Sequence, residues 1–284
     1  SLRLSLKFCE KNARIASHQL TMAGPITHIV LAVDAHKEFL SNLDEKLFLA
    51  GTSFPDIRYL KVIDRNATHF PSLSIEELKK ESPFISGVKF HSLVDEVRER
   101  YVTEEGIYDL MPPSRFITQA MKFYEDEILY EKFPGWKILT EKLGSIGHEK
   151  IDFPIAQSDL EKWYSLLCEY FVEKPTSASR EKFILGCGLE QEGTEEIEEI
   201  IKKLRSLPRV AQTTNRFCDQ FLHVDLVDGY VHLQIFGVTQ DVADKMIQLH
   251  RLLAHEFHIP RQVIPVSRHR GEMRQPKYRG EGCA

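Results

Sequence analysis

The chain has 284 residues, of which 42% are hydrophobic and 28% charged, a balance that excludes disorder and calls for a packed core. A net charge of -5 and a pI near 6.2 leave no basic face of the size nucleic acid requires, so no nucleic-acid partner is indicated. The five cysteines, Cys9, Cys168, Cys187, Cys218 and Cys283, are scattered, odd in number and free of any CxxC pair; this points to a reducing compartment and a cytoplasmic protein.

No run of about 18 apolar residues occurs, so no membrane span is expected. Residues 1–22 are basic and read as an N-terminal extension ahead of a natural start at Met22-Ala23-Gly24-Pro25. A first helix is expected from Thr27 to Leu43, with Ile29, Val33, Phe39 and Leu40 on one stripe. A second apolar stretch, Lys46 to Ser53, runs into Phe54-Pro55-Asp56-Ile57, where the proline turns the chain and sets Asp56 at a helix end. Residues 64–83 read as a loop holding a short acidic helix from Ser74 to Glu81.

An amphipathic helix follows from Phe84 to Tyr101, and Pro112-Pro113 opens another from Ser114 to Phe133. Glycines at 135, 144 and 147 loosen the chain, placing the weakest boundary at residues 134–157. Helices are predicted over Ser158 to Glu173, Gly193 to Ser206 and Asp241 to Phe257. Between the last two, His223 to Phe236 alternates around Asp228-Gly229 as a short hairpin would. The tail from Arg268 is basic and reads as mobile. The expected fold is mainly α: a helical-bundle, metallohydrolase-like core, then a C-terminal part with helices and a short β-hairpin. The implied domains are a helical metal-binding domain over 23–150 and a C-terminal, mainly helical region of unknown role over 151–284.

Metal-competent side chains sit beside apolar helix at several places in the first half. His91 and Asp95 lie four apart and share a helix face, so they can converge on one ion. Asp56, on its turn, can aim back into the bundle, and His28 at the start of the first helix can meet it. Asp126 interrupts an aromatic and apolar surface, where a buried carboxylate needs a cation or a donor. His69 is within reach as a further ligand, and Arg58 and Lys61 are placed to meet a phosphate. Any one of these residues is also compatible with a hydrogen-bonded core position or a surface ion pair. The histidines at 223, 232, 250, 255 and 258 fit structural or helix-capping roles.

The ordered set Pro25-Ile26-Thr27-His28, Leu47 to Ile57 with its Pro55-Asp56, and Gly87-Val88-Lys89-Phe90-His91-Ser92-Leu93-Val94-Asp95 resembles the zinc-dependent phospholipase C and P1-nuclease-like families. The stretch from Gly87 to Phe133 is also similar to acyl carrier protein phosphodiesterases. Together the likeness spans residues 23–133. It implies metal ligands at His28, Asp56, His91 and Asp95, with His69 and Asp126 as additional ones, and catalytic roles for Asp56, His91 and Asp95. The later His-x-x-x-Glu pair of the phospholipase pattern has no clear counterpart here. The expected activity is metal-dependent hydrolysis of a small-molecule or lipid phosphoester by a metal-bound water, with zinc favoured and manganese or iron possible. The rival reading is a non-catalytic binding or scaffold protein that keeps the helical fold with a degenerate site.

Overall fold

The computed structural model describes residues 23–71, 73–147, 151, 153–188, 191–221, 224–227 and 230–233, and within these the chain is mainly helical. The described residues all fall within one compact unit. The expected helix at 241–257, the basic tail, the Asp228-Gly229 turn and the histidines at 223, 250, 255 and 258 lie outside the described residues.

Helix α1, Pro25–Phe39, starts two residues earlier than its apolar stripe suggests because Pro25 takes the first helical position, where its missing N–H costs nothing. Gly24 offers no side-chain cap. The carboxylate of Asp126, 99 residues away, accepts the Thr27 N–H at 2.8 Å in its place. The helix stops at Phe39, short of the expected Leu43, because Asp44 already caps the next one: its side chain accepts the Leu47 N–H at 2.9 Å. That helix, α2, spans Glu45–Ser53 and passes directly into a 3-10 turn over Pro55–Leu60, which Lys61 ends in the left-handed region at φ 61°.

A short helix α3, Ile75–Leu78, carries a capping box between Ser74 and Glu77. The long helix α4, Pro83–Glu104, is capped by Ser82. Next come α5 (Ile117–Leu129), which runs on into a 3-10 turn over Tyr130–Lys132, and then α6 (Trp136–Leu143) and α7 (Gln157–Phe171). The last three are α8 (Ser177–Gly186), α9 (Gln191–Arg205) and α10 (Pro208–Gln220). Two strands, Val224–Val227 and Tyr230–Leu233, pair antiparallel with Val224 opposite Leu233. No helix among the described residues is long and apolar enough to cross a membrane.

The closest packing is between α2 and α4. A side-chain carbon on Gly51 would lie 2.0 Å from the Phe84 carbonyl oxygen, and one on Gly87 would lie 2.1 Å from that of Phe48. Only glycine lets the two backbones meet this closely. Residues after 150 belong to the same core: Trp163 on α7 donates to the Ser53 carbonyl at 2.9 Å, and Tyr164 donates to that of Ala50 at 3.1 Å.

Candidate metal centre

The touching helices α2 and α4 bring the first-half histidines and aspartates together. On α4, Phe90, Leu93, Val94 and Val97 fix which face is buried, and His91 and Asp95 share it, 1% and 4% exposed. His91 Nδ1 lies 2.9 Å from the Thr52 carbonyl oxygen, which can only accept. The proton is therefore on Nδ1, and the Nε2 lone pair faces inward, 3.5 Å from Asp95 Oδ2. Burial, and then the neighbouring His28, pulls the His91 imidazole down to about 3, so the ring is neutral at ordinary pH.

His28, one turn into α1, stacks on His91 with ring centroids 3.7 Å apart and planes 12° from parallel. Its Nε2 lies 3.1 Å from Asp95 Oδ1, the oxygen that also accepts the Ala23 N–H at 2.9 Å. His69 reaches the opposite carboxylate oxygen, with Nε2 3.4 Å from Asp95 Oδ2. The loop carrying His69 is pinned to α4 by Ser92, whose hydroxyl accepts the Phe70 N–H at 3.2 Å and donates to the Thr68 carbonyl at 3.3 Å. His69 Nδ1 stands 3.3 Å from the Arg65 carbonyl and 3.0 Å from the Thr68 hydroxyl.

Asp56, 3% exposed in the 3-10 turn, is held beside Arg58, whose guanidinium lies 3.5 Å away. Its carboxyl stays below the usual range. Burial pushes it up, and the neighbouring His91, in acid where its ring carries a proton, together with Lys122 and Arg58 more than offsets that. Asp95 is likewise held well below the usual range, the upward push of burial being outweighed by the surrounding imidazoles.

Among the described residues, His28, His91 and Asp95 place one ligand atom each within 4.8 Å of one another, and this buried group can bind a metal ion. The orphaned atoms give the chemical argument. Both ring nitrogens of His28, Nε2 of His69 and His91, Oδ1 of Asp56 and Oδ2 of Asp95 are buried and have no aligned hydrogen-bond partner. One nitrogen of each imidazole and the carboxylate oxygens are electron-pair donors of a kind that binds divalent metals, and burying so many without a partner carries a desolvation cost that a cation removes.

Asp126 does not join this group. Its Oδ1 accepts the Thr27 N–H and hydroxyl at 2.8 and 3.0 Å, and its Oδ2 accepts the Tyr170 hydroxyl at 3.2 Å. The donor its burial demands is the end of α1 and a phenol, which corrects its assignment as an additional ligand. Lys61 is exposed, in the left-handed conformation that ends the 3-10 turn. Among the described residues, Arg58, Arg65 and Lys122 face the cluster. Arg65 is 4.0 Å from Asp95 Oδ2, and the buried Lys122 donates to the Tyr59 hydroxyl at 2.9 Å. Arg65 and Lys122 have no motif spacing to mark them; the one available signal for Arg65 is its position four residues before His69.

Cys168, Cys187 and Cys218 are free thiols, and burial pushes Cys187 up to about 12, well away from thiolate chemistry. No family model, curated protein or solved structure matches the chain.

Proposed function

We propose that this protein is a metal-dependent phosphoester hydrolase whose ion is held by His28, Asp56, His69, His91 and Asp95. The observation that carries the reading is the set of buried, unpartnered imidazole and carboxylate atoms converging from α1, the 3-10 turn after α2, the loop before α3 and α4. Mixed nitrogen and oxygen donors favour zinc, with manganese and iron next. Bound there, a divalent ion supplies Lewis acidity, making water acidic near neutral pH and offsetting charge on phosphoryl oxygens.

The chain's own residues do the rest. The Thr52 carbonyl fixes the His91 tautomer, so that its lone pair is aimed before any ligand arrives. The Ala23 N–H occupies Asp95 Oδ1 and leaves Oδ2 directed inward. Arg58 and Arg65, partly exposed, stand at the rim to receive an anionic group, and α2 and α4 keep bulk water from the ligand atoms. The phosphoester class is supported by these cations and by the likeness of residues 23–133 to helical phosphohydrolases.

The test is metal content on protein purified without chelators, followed by assay on a generic phosphoester. Metal near one equivalent or more is expected, and His91→Ala or Asp95→Ala should each lower activity and metal affinity at least about a hundredfold. A metal-free protein whose stability is unchanged in both variants would instead leave a helical scaffold without this chemistry.

A further inference from the structure

Among the described residues, three cations stand about the cluster. Arg58, Arg65 and Lys122 face it, against two carboxylates, Asp56 and Asp95. Lys122, 6% exposed, bonds a phenol rather than a carboxylate. A divalent ion held between them would add two further positive charges to this group.

The two arginines differ from Lys122 in being reachable. The Arg65 side chain is 29% exposed with its guanidinium 4.0 Å from Asp95 Oδ2, so it spans from solvent to the inner carboxylate; its Nε is buried without a hydrogen-bond partner. Arg58 is 19% exposed, lies over the Tyr59 ring at 4.4 Å and donates to the Tyr59 hydroxyl at 3.2 Å, which holds its planar fork in place. Guanidinium forks match phosphate oxygens in pairs.

We propose that the site takes a terminal, doubly ionised phosphate, as on a phosphomonoester, and that Arg58 and Arg65 select it over an internal phosphodiester. This rests on the metal-site reading above. A diester has two non-bridging oxygens and one negative charge; once one oxygen faces the ion, a single oxygen remains for two guanidiniums. A terminal phosphate has three such oxygens and close to two charges at neutral pH. It can meet the ion and both arginines, and it brings them about one more negative charge than the diester does.

The experiment titrates inorganic phosphate and dimethyl phosphate into the zinc-loaded full chain by calorimetry, with Arg65→Ala, Arg65→Gln and Arg58→Ala beside it. Phosphate should bind at least about tenfold more tightly than dimethyl phosphate, and loss of either guanidinium should weaken it about tenfold at unchanged zinc content. Zinc alone also favours the dianion, so dependence on the arginines is the deciding result. Arg65→Gln keeps most of the stem and guards against a packing effect. Equal affinity for the two anions, or undiminished phosphate binding in the arginine variants, overturns the proposal. Should the chain take up no metal, the same titration of the metal-free protein separates the two ideas. Arginine-dependent phosphate binding would keep the anion site and remove the hydrolase, and its absence in both forms would overturn the anion site as well.

Discussion

Asp95 and Asp126 are both aspartates on apolar helix faces, and both are almost fully buried, but what meets them differs. Asp95 faces three imidazoles, whereas Asp126 faces the first turn of α1 and the Tyr170 phenol. Burial pushes the Asp126 carboxyl up to about 7, despite the Thr27 donors that favour its ionised form. The folded protein therefore keeps a proton there that the unfolded chain, with an ordinary carboxyl, releases at lower pH. Stability from this group is present below the ordinary carboxyl range and is lost as pH rises toward 7, at a slope approaching about 1.4 kcal/mol per pH unit. Asp126→Asn imitates the protonated acid: its carbonyl can accept from Thr27 and its amide can donate to Tyr170. Urea unfolding of this variant should show a flatter pH dependence between about 4 and 7 than the parent. Parallel curves would place the proton elsewhere.

Between elements, the site depends on how closely α2 and α4 approach, because His91 and Asp95 are on one helix and the Thr52 carbonyl and the Asp56 turn are on or beside the other. Gly51→Ala or Gly87→Ala puts a methyl group about 2 Å from a backbone oxygen that cannot swing aside. Each should destabilise the fold by about 1–3 kcal/mol or more, and should weaken metal binding by lengthening the bond from His91 to Thr52. Unfolding curves with and without added zinc would show both effects, and full metal affinity in either variant would mean the helices can part without cost to the site. The sequence carried much of this: the four-residue spacing of His91 and Asp95 set their common face, and Pro55 set the turn for Asp56. Helices α6, α8 and α10 carry no clear local signal in the sequence. Glycines flank Trp136–Leu143, and α10 offers only Val210, Phe217 and Cys218 as buried apolar residues, so their helicity comes from the neighbours they pack on. Arg65 and Lys122 were equally hidden, since a cation's partner across the fold leaves no local pattern.

Across the whole molecule, residues beyond 150 complete what the first half begins. The last turn of a helix leaves carbonyls without intrahelical partners, and on α2 those of Ala50 and Ser53 are taken by Tyr164 and Trp163 of α7. The Ser53 carbonyl lies three residues before Asp56, so α7 steadies the turn that holds a proposed ligand. Tyr170, from the same helix, bonds the carboxylate that anchors α1 and thereby His28. Arg180 on α8, fully buried, ties α5 to α9 through Glu127 and Glu198 at 3.0 and 2.6 Å. Trp163→Ala should thus cost about 3–5 kcal/mol for its fully buried ring and reduce zinc affinity as well, through the Ser53 carbonyl it releases. A chain cut after residue 150 should lose both cooperative unfolding and metal binding, because the apolar faces of α2 and α5 would be left open to water. Cooperative unfolding and zinc uptake in that shortened chain would instead show that residues 23–150 stand as a domain of their own, with the bonds from α7 serving only to dock it.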